Sequence, residues 1–333
     1  MTQGEIIGVS LGQNLSLRDL LQCASTSELQ KIDSIWLPEA REIDATVALS
    51  SMAAMTDRIK LGSAILNVFS RSPTQLAMAA ATLDTASAGR FILGLGTSTP
   101  EITEKWHGSE FKNPMARMED YVNVIRQILH GDVVNYIGKT TSIQNFRLIT
   151  GSPRPQVPIY IAALGPKMTS LAGRLADGVL LFLRPLSAVK NTVIAVKESA
   201  RASSRDPHSV KIACVIVTCI ADDEEAAAER ARRVIAFYAG VGRFYNKMLA
   251  TNGFSDEAEL IWKAWQSGNH KGARKQVSDK LLDALAITGS PSTARQKLAA
   301  YRHEGVDLPI LQFNSADNDP VESLKFTLGS FLR

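Results

Sequence analysis

Apolar residues fall along this chain in two alternating rhythms. Short, nearly continuous apolar runs end in clusters of small or turn-forming residues. Each is followed by a longer stretch in which apolar positions return every three or four residues, the spacing of one helix face. The clearest instances are residues 57–100, DRIKLGSAILNVFSRSPTQLAMAAATLDTASAGRFILGLGTSTP, and residues 158–181, PIYIAALGPKMTSLAGRLADGVLL. Each reads as a strand, a turn of small residues, an Ala-rich helix and a second strand.

Extended over the chain, the pattern predicts strands at 5–12, 33–39, 59–66, 90–96, 158–164, 178–183, 211–221 and 308–313. Helices fill the spaces between most of them. One spans 16–31 with Ser16 as its N-cap, one begins near Asp44, and one opens at Pro73, a residue favoured in a first helical turn. Ala88-Gly89 ends that third helix. Residues 113–131 are expected to be helical, and a closing helix runs near 320–331. Two excursions interrupt the repeat: a hairpin over 133–147, turned at Gly138-Lys139, and a helical insertion over 222–287. Eight β/α units in 333 residues predict an α/β fold, a (β/α)8 TIM barrel forming one domain over 1–333 with those two insertions. A doubly wound sheet would want G-x-G-x-x-G after its first strand, and Gly8-Val9-Ser10-Leu11-Gly12 does not supply it.

Composition narrows the function classes. With 45% hydrophobic and 21% charged residues the profile is that of a soluble globular protein. The formal charge of +4 comes without any Lys/Arg run interleaved with aromatics, so no nucleic-acid partner is expected. Arg232-Arg233 and Arg274-Lys275 read as solvated helix faces. Glu5 and Gly8 break any apolar leader, and no uncharged stretch is long enough to span a bilayer, so a cytoplasmic location without membrane contact is expected. Cys23, Cys214 and Cys219 read as small core residues, the latter two on opposite faces of one strand.

In a barrel of this kind the site lies where strands end. The predicted ends are 10–13, 38–41, 64–68, 96–100, 164–168, 183–185 and 312–315. They hold no paired carboxylates, no Cys/His arrangement and no histidine cluster with metal-ligand spacing. A mouth lined by small apolar residues and poor in acids and bases suits a bound cofactor that performs the chemistry itself, and hydride transfer fits best. Gly165-Pro166-Lys167-Met168 reads either as an anion site at a helix N-terminus or as a plain strand-to-helix turn. Gly94-Leu95-Gly96-Thr97-Ser98 ends its strand with small residues and hydroxyls. Glu39 is a candidate for ligand or proton contact, with an ion pair to Arg41 as the alternative. Trp106, His107, Gly108 and Phe111 either cover the mouth or pack their loop down.

The run RIKLGSAILNVFSRSPTQLAMAAATLDTASAGRFILGLGTS, together with PIYIAALGPKMTSLAGRLADGVLL, closely resembles the bacterial-luciferase-like superfamily. Within it the chain resembles the coenzyme F420-dependent oxidoreductases, including the methylenetetrahydromethanopterin reductases. The likeness covers about 32–183 and resumes at Gly289-Ser290-Pro291 and at 304–309. The resemblance implies a TIM barrel with a deazaflavin across its mouth, and hydride transfer between the deazaflavin C5 and a small-molecule substrate. It implies a non-prolyl cis peptide at Ala64-Ile65 behind the cofactor ring. Asn67, Gly96, Thr97 and Ser98 then line the ring and side chain, and Gly165, Pro166, Lys167 and Met168 cradle the phosphate. It also implies a homodimer. Some relatives carry Asp-His where this chain has Glu39-Ala40, and the best-known methanopterin reductases carry a Glu where it has Ser10. Two other readings share the scaffold: an FMN-dependent monooxygenase using oxygen, and a non-catalytic flavin-binding barrel.

Overall fold

The computed structural model describes residues 6–12, 15–150, 154, 156–315 and 319–332. The first half runs β1 (Gly8–Ser10), α1 (Leu17–Leu29), β2 (Ser34–Pro38), α2 (Ala45–Met55), β3 (Lys60–Asn67), α3 (Pro73–Ala86), β4 (Phe91–Gly96) and α4 (Pro114–His130). Next come β5 (Val134–Ile137), β6 (Ser142–Phe146), β7 (Ile159–Ala162), α5 (Pro166–Leu175), β8 (Gly178–Phe182), α6 (Leu186–Ala202) and β9 (Lys211–Ile220). A run of helices follows, α7 (Glu224–Val241), α8 (Arg243–Thr251), α9 (Ser255–Gln266), α10 (His270–Lys275) and α11 (Asp279–Leu285). The chain closes with β10 (Ala286–Gly289), α12 (Pro291–His303), β11 (Leu308–Phe313) and α13 (Pro320–Gly329).

The local signals in the sequence act where expected. Ser16 and Ser72 each form a capping box, with Asp19 and Gln75, and Pro73 occupies the first turn of α3. Gly89 takes φ +82° just past α3, a conformation that suits glycine. Strands β1, β2, β3, β4, β7, β8, β9 and β11 pair in parallel and close on themselves through β8–β9, giving the eight-stranded (β/α)8 barrel. β5 and β6 form the separate antiparallel hairpin.

One expectation fails. Helix was predicted through Ile287, yet Ala286–Gly289 is a strand paired in parallel with Val217–Ile220 of β9. β8 stops at Phe182 opposite Val215 while β9 continues to Ile220, and β10 takes up the backbone edge left beyond β8. Helix α7 packs on this extension and α11 against β10, while α8–α10 pack in turn on α7 and on one another. Val217 and Cys219 share a buried cluster with Ala231, Ile235, Leu249 and Leu281. Cys214 belongs instead to the shell between strands and outer helices, so the two cysteines do face opposite ways; burial pushes both thiols up to about 12.

The barrel interior has an aromatic floor. Trp36 and Tyr160 lie 5.5 Å apart between ring centroids, among Ile92, Leu180, Ala213 and Ile310. Their rings rest on glycines: a Cβ at Gly62 would come within 2.4 Å of the Trp36 ring, and one at Gly178 within 2.5 Å of the Tyr160 ring. Nearer the C-terminal strand ends, Ala64, Ile65, Ala162 and Val215 are only partly buried. The solid floor and unfilled upper layer direct any ligand to that end. No helix among the described residues is long and apolar enough to cross a membrane.

Candidate active site at the barrel mouth

The upper part of β3 departs from regular pairing. Ser63 sits opposite Leu37 but Ile65 opposite Pro38, and on the other side the register jumps from Gly62 to Leu66. The extra residue makes a bulge, which re-aims the side chains it carries. Ser63 turns toward β4, where its Oγ donates to Gly94 O at 3.0 Å and accepts from Gly94 N at 2.8 Å. A Cβ on Gly94 would lie 1.9 Å from Ser63 O, so this approach requires glycine. Ala64 and Ile65 are left partly exposed at the mouth, with Ile65 against Gly96. The cis peptide implied for Ala64-Ile65 is absent: no described peptide bond is cis. The bulge takes up the extra residue with trans bonds, held by the two hydrogen bonds between Ser63 Oγ and Gly94.

Two buried amides, one on β3 just past the bulge and one on β11 two strands beyond its neighbour β2, are incompletely satisfied. Asn67 is 5% exposed; its Oδ1 accepts from Phe69 N at 2.9 Å and its Nδ2 has no partner. Gln312, next to Ser10 in register, is 6% exposed, and its Oε1 has no partner. Gln312 shares the strand parity of Ile310 and so faces the barrel interior. Leaving such groups unpaired costs about 1–3 kcal/mol each, which a ligand would recover. Thr97 and Ser98 follow β4 half-buried, Ser98 in the left-handed region at φ +56°.

After β7 the chain enters α5 through Gly165, an extended N-cap residue without a side-chain cap, with Pro166 in the first turn. Gly165, Pro166 and Lys167 are exposed and Met168 half-buried; a Cβ on Gly165 would meet nothing within 4 Å. The first backbone N–H groups and the helix dipole therefore face open space, as an anion site needs.

Glu39, just past β2, is fully engaged. Its Oε1 accepts from Arg71 Nη1, and its Oε2 accepts from Arg71 Nη2 at 2.9 Å and from the backbone N–H of Ala45 at 3.0 Å. Arg71 Nη2 also donates to Asp44 Oδ2 at 3.0 Å. The hydrogen bonds that Arg71 donates to Glu39 raise the Arg71 pKa despite burial, with Asp44 adding to the effect. The partner is thus Arg71 rather than Arg41. The pair borders a cavity of about 380 Å³ lined also by Arg41, Asp44, Ser70 and His107. Sequence reasoning missed Arg71. Its only signal is its place in the turn after the third strand, ahead of the Ser72-Pro73 helix start. Phe111 packs its loop down: it stacks on Phe69 at 4.9 Å and lies 6.4 Å from Phe244 of α8.

The candidate residues Glu39, Ala64, Ile65, Asn67, Gly96, Thr97, Ser98, Gly165, Pro166, Lys167 and Met168 thus follow or occupy four consecutive ring strands, β2, β3, β4 and β7. The family described as luciferase-like monooxygenase matches residues 4–308. The chain belongs to that family. Among relatives of this luciferase-like protein is one of Mycobacterium tuberculosis, named provisionally as a coenzyme F420-dependent oxidoreductase. It is 29% identical over 89% of this chain and 91% of the relative. The 5,10-methylenetetrahydromethanopterin reductase of Archaeoglobus fulgidus is 31% identical over 78% of each chain. The solved coenzyme F420-dependent tetrahydromethanopterin reductase of Methanopyrus kandleri superimposes with a TM-score of 0.88 over 99% of both chains at 24% identity, a likeness of fold.

This luciferase-like barrel holds one further charged group at its mouth. Arg184, within the predicted strand end 183–185 but not singled out there, is 8% exposed. It follows Leu183, a buried leucine held at φ +50°. Its Nη2 donates to Leu164 O at 2.6 Å and its Nε has no partner. Burial pulls its pKa down.

Proposed function

We propose that this protein is a coenzyme F420-dependent oxidoreductase that moves a hydride between the deazaflavin C5 and a small organic substrate. The observation that carries the reading is the pair of buried, unpartnered amide groups, Asn67 Nδ2 and Gln312 Oε1, at a mouth whose carboxylates Glu39 and Asp44 are both tied to Arg71. Such a mouth needs a planar, polar-edged ligand to satisfy it and a cofactor to do its chemistry. The coenzyme F420-dependent name of the Mycobacterium tuberculosis relative supports the same class.

The residues fit the cofactor in kind. Ala64 and Ile65 offer an apolar surface for one face of a flat ring, and Gly96, Thr97 and Ser98 adjoin them. Asn67 donates to the ring edge, and the N-terminus of α5 with Lys167 receives the phosphate. Bound there, the deazaflavin supplies the carbon that gives or takes the hydride. The protein orients both reactants, and the aromatic floor keeps water from rising through the barrel. Glu39 meets the substrate from the rim, where its two bonds to Arg71 fix its position.

The test is a fluorescence titration of the protein with F420 and with FMN. We expect F420 to bind at least ten times more tightly. Preferential FMN binding would overturn the proposal in favour of the oxygen-dependent reading.

A further inference from the structure

Arginine is charged at every accessible pH, and a buried guanidinium is costly unless its donors are used. The other arginines packed into the barrel wall use theirs. Arg90 donates to the carbonyls of Ala53, Thr56 and Ile59. Arg205 donates to those of Gly173 and Ala176, and Arg154 grips Asp84 through two nitrogens. Arg184 is more buried than any of these. It makes one hydrogen bond, to Leu164 O, and no ion pair among the described residues, and its Nε is buried without a partner.

Its position gives the reason. Leu164 immediately precedes Gly165, so the one bond Arg184 makes fastens its guanidinium behind the uncapped start of α5. The backbone bends through Leu183 in a conformation unfavourable to leucine, which packing in the insertion cluster enforces. A helix N-terminus with free N–H groups and a buried guanidinium without a counter-ion thus converge from adjacent strands, β7 and β8.

We propose that Arg184 is the buried counter-charge for an oxyanion seated on the N-terminus of α5, the phosphodiester of the cofactor being its source. This rests on the function proposed above for the identity of the ligand, though not for the existence of the site. It assigns a residue outside the Gly165–Met168 turn to anion recognition. Arg184 fixes the depth of the anion while Lys167, exposed at the surface, adds general attraction.

The experiment uses the full chain with R184Q and R184K. Each is titrated with F420 and with the deazaflavin riboside that lacks the phosphate and its tail, and the same pairing is run with FMN and riboflavin. Thermal unfolding is followed with and without inorganic phosphate. In R184Q the preference for the phosphate-bearing member is expected to fall at least tenfold, with affinity for the phosphate-free member unchanged; R184K should retain part of it. Without ligand, R184Q should unfold no lower than wild type, because an unpaired buried charge has been removed. An unchanged preference combined with loss of phosphate stabilisation would keep the oxyanion site and transfer its source to the substrate. An unchanged preference and unchanged phosphate effect would overturn the proposal, as would a lowered unfolding temperature with equal weakening of both members of a pair, the mark of a purely structural tether. If wild type binds neither deazaflavin, the functional reading fails, while the FMN pair and the phosphate effect still test Arg184.

Discussion

Gly94→Ala strikes the contact on which the mouth is built. The added methyl would sit 1.9 Å from Ser63 O and 3.1 Å from Leu180 Cδ1. The obstacle is backbone, so the conflict is relieved only if β3 and β4 move apart. That separation breaks both hydrogen bonds between Ser63 and Gly94. Overpacking of this kind costs about 1–3 kcal/mol, and two hydrogen bonds add about 1 kcal/mol each, giving about 3–5 kcal/mol together. In a chain of this size that lowers the unfolding temperature by roughly 4–7 °C. Because Ala64 and Ile65 ride on the bulge, cofactor affinity should fall at least tenfold as well. Gly329→Ala, at the end of α13 and away from the mouth, is the control: a Cβ there would meet nothing within 4 Å and its φ is not in the left-handed region, so its stability should stay within about 0.5 kcal/mol of wild type. Differential scanning calorimetry and cofactor titration of both variants give the answer. A G94A protein with wild-type unfolding temperature and affinity would refute the argument that the Ser63–Gly94 approach shapes the site.

Two further outcomes concern the frame. Asp84 is fully buried and held by Arg154 through bonds of 2.7–3.0 Å. Arg154→Ala strands the carboxylate and should cost about 3–5 kcal/mol, and adding Asp84→Ala should recover part of that loss in urea unfolding; strict additivity would count against a coupled pair. Asp120 anchors the β5–β6 hairpin by accepting from Thr140 N at 2.6 Å, Thr140 Oγ1 at 2.7 Å and Tyr136 OH at 3.0 Å. Burial raises its pKa, but these hydrogen bonds outweigh burial and hold it below the usual carboxylate value. The stability it contributes is therefore present in full above the unfolded value of about 3.9 and lost as pH falls through the folded one. The gap in urea midpoint between wild type and Asp120→Asn should hold from pH 7 to about 5 and narrow below about 4. A gap that does not change with pH would refute the assignment.

The barrel was legible because its signals are local. Ser16, Pro73 and Gly89 act within a few residues of themselves, and each apolar run needs only its own composition to read as a strand. β10 was not, since Ala286–Gly289 becomes a strand only because β8 ends five residues of β9 before Ile220. The four residues carry no alternation of their own. Pairings across the chain were equally hidden: Glu39 finds Arg71 32 positions away, where the adjacent Arg41 was the nearer guess. The resemblance pointed to Ala64-Ile65 as the irregular place in β3 but not to a bulge of trans bonds, because register depends on how Ser63 meets Gly94 across strands. Arg184 gave no sign, for an arginine at a strand end is ordinary until its burial and missing partner are seen.

β10 gives the molecule an inheritance in two parts. The ring closes through β8, β9 and β11 without it, so residues 224–289 can be exchanged without removing a single rung of the closed ladder. Those residues nevertheless form one wall of the mouth, with Tyr238 and Tyr245 edge-on to Phe182. The segment is thus a cassette carried on the overhang of one long strand, and any replacement for it must still cover Leu183, Val217 and Cys219.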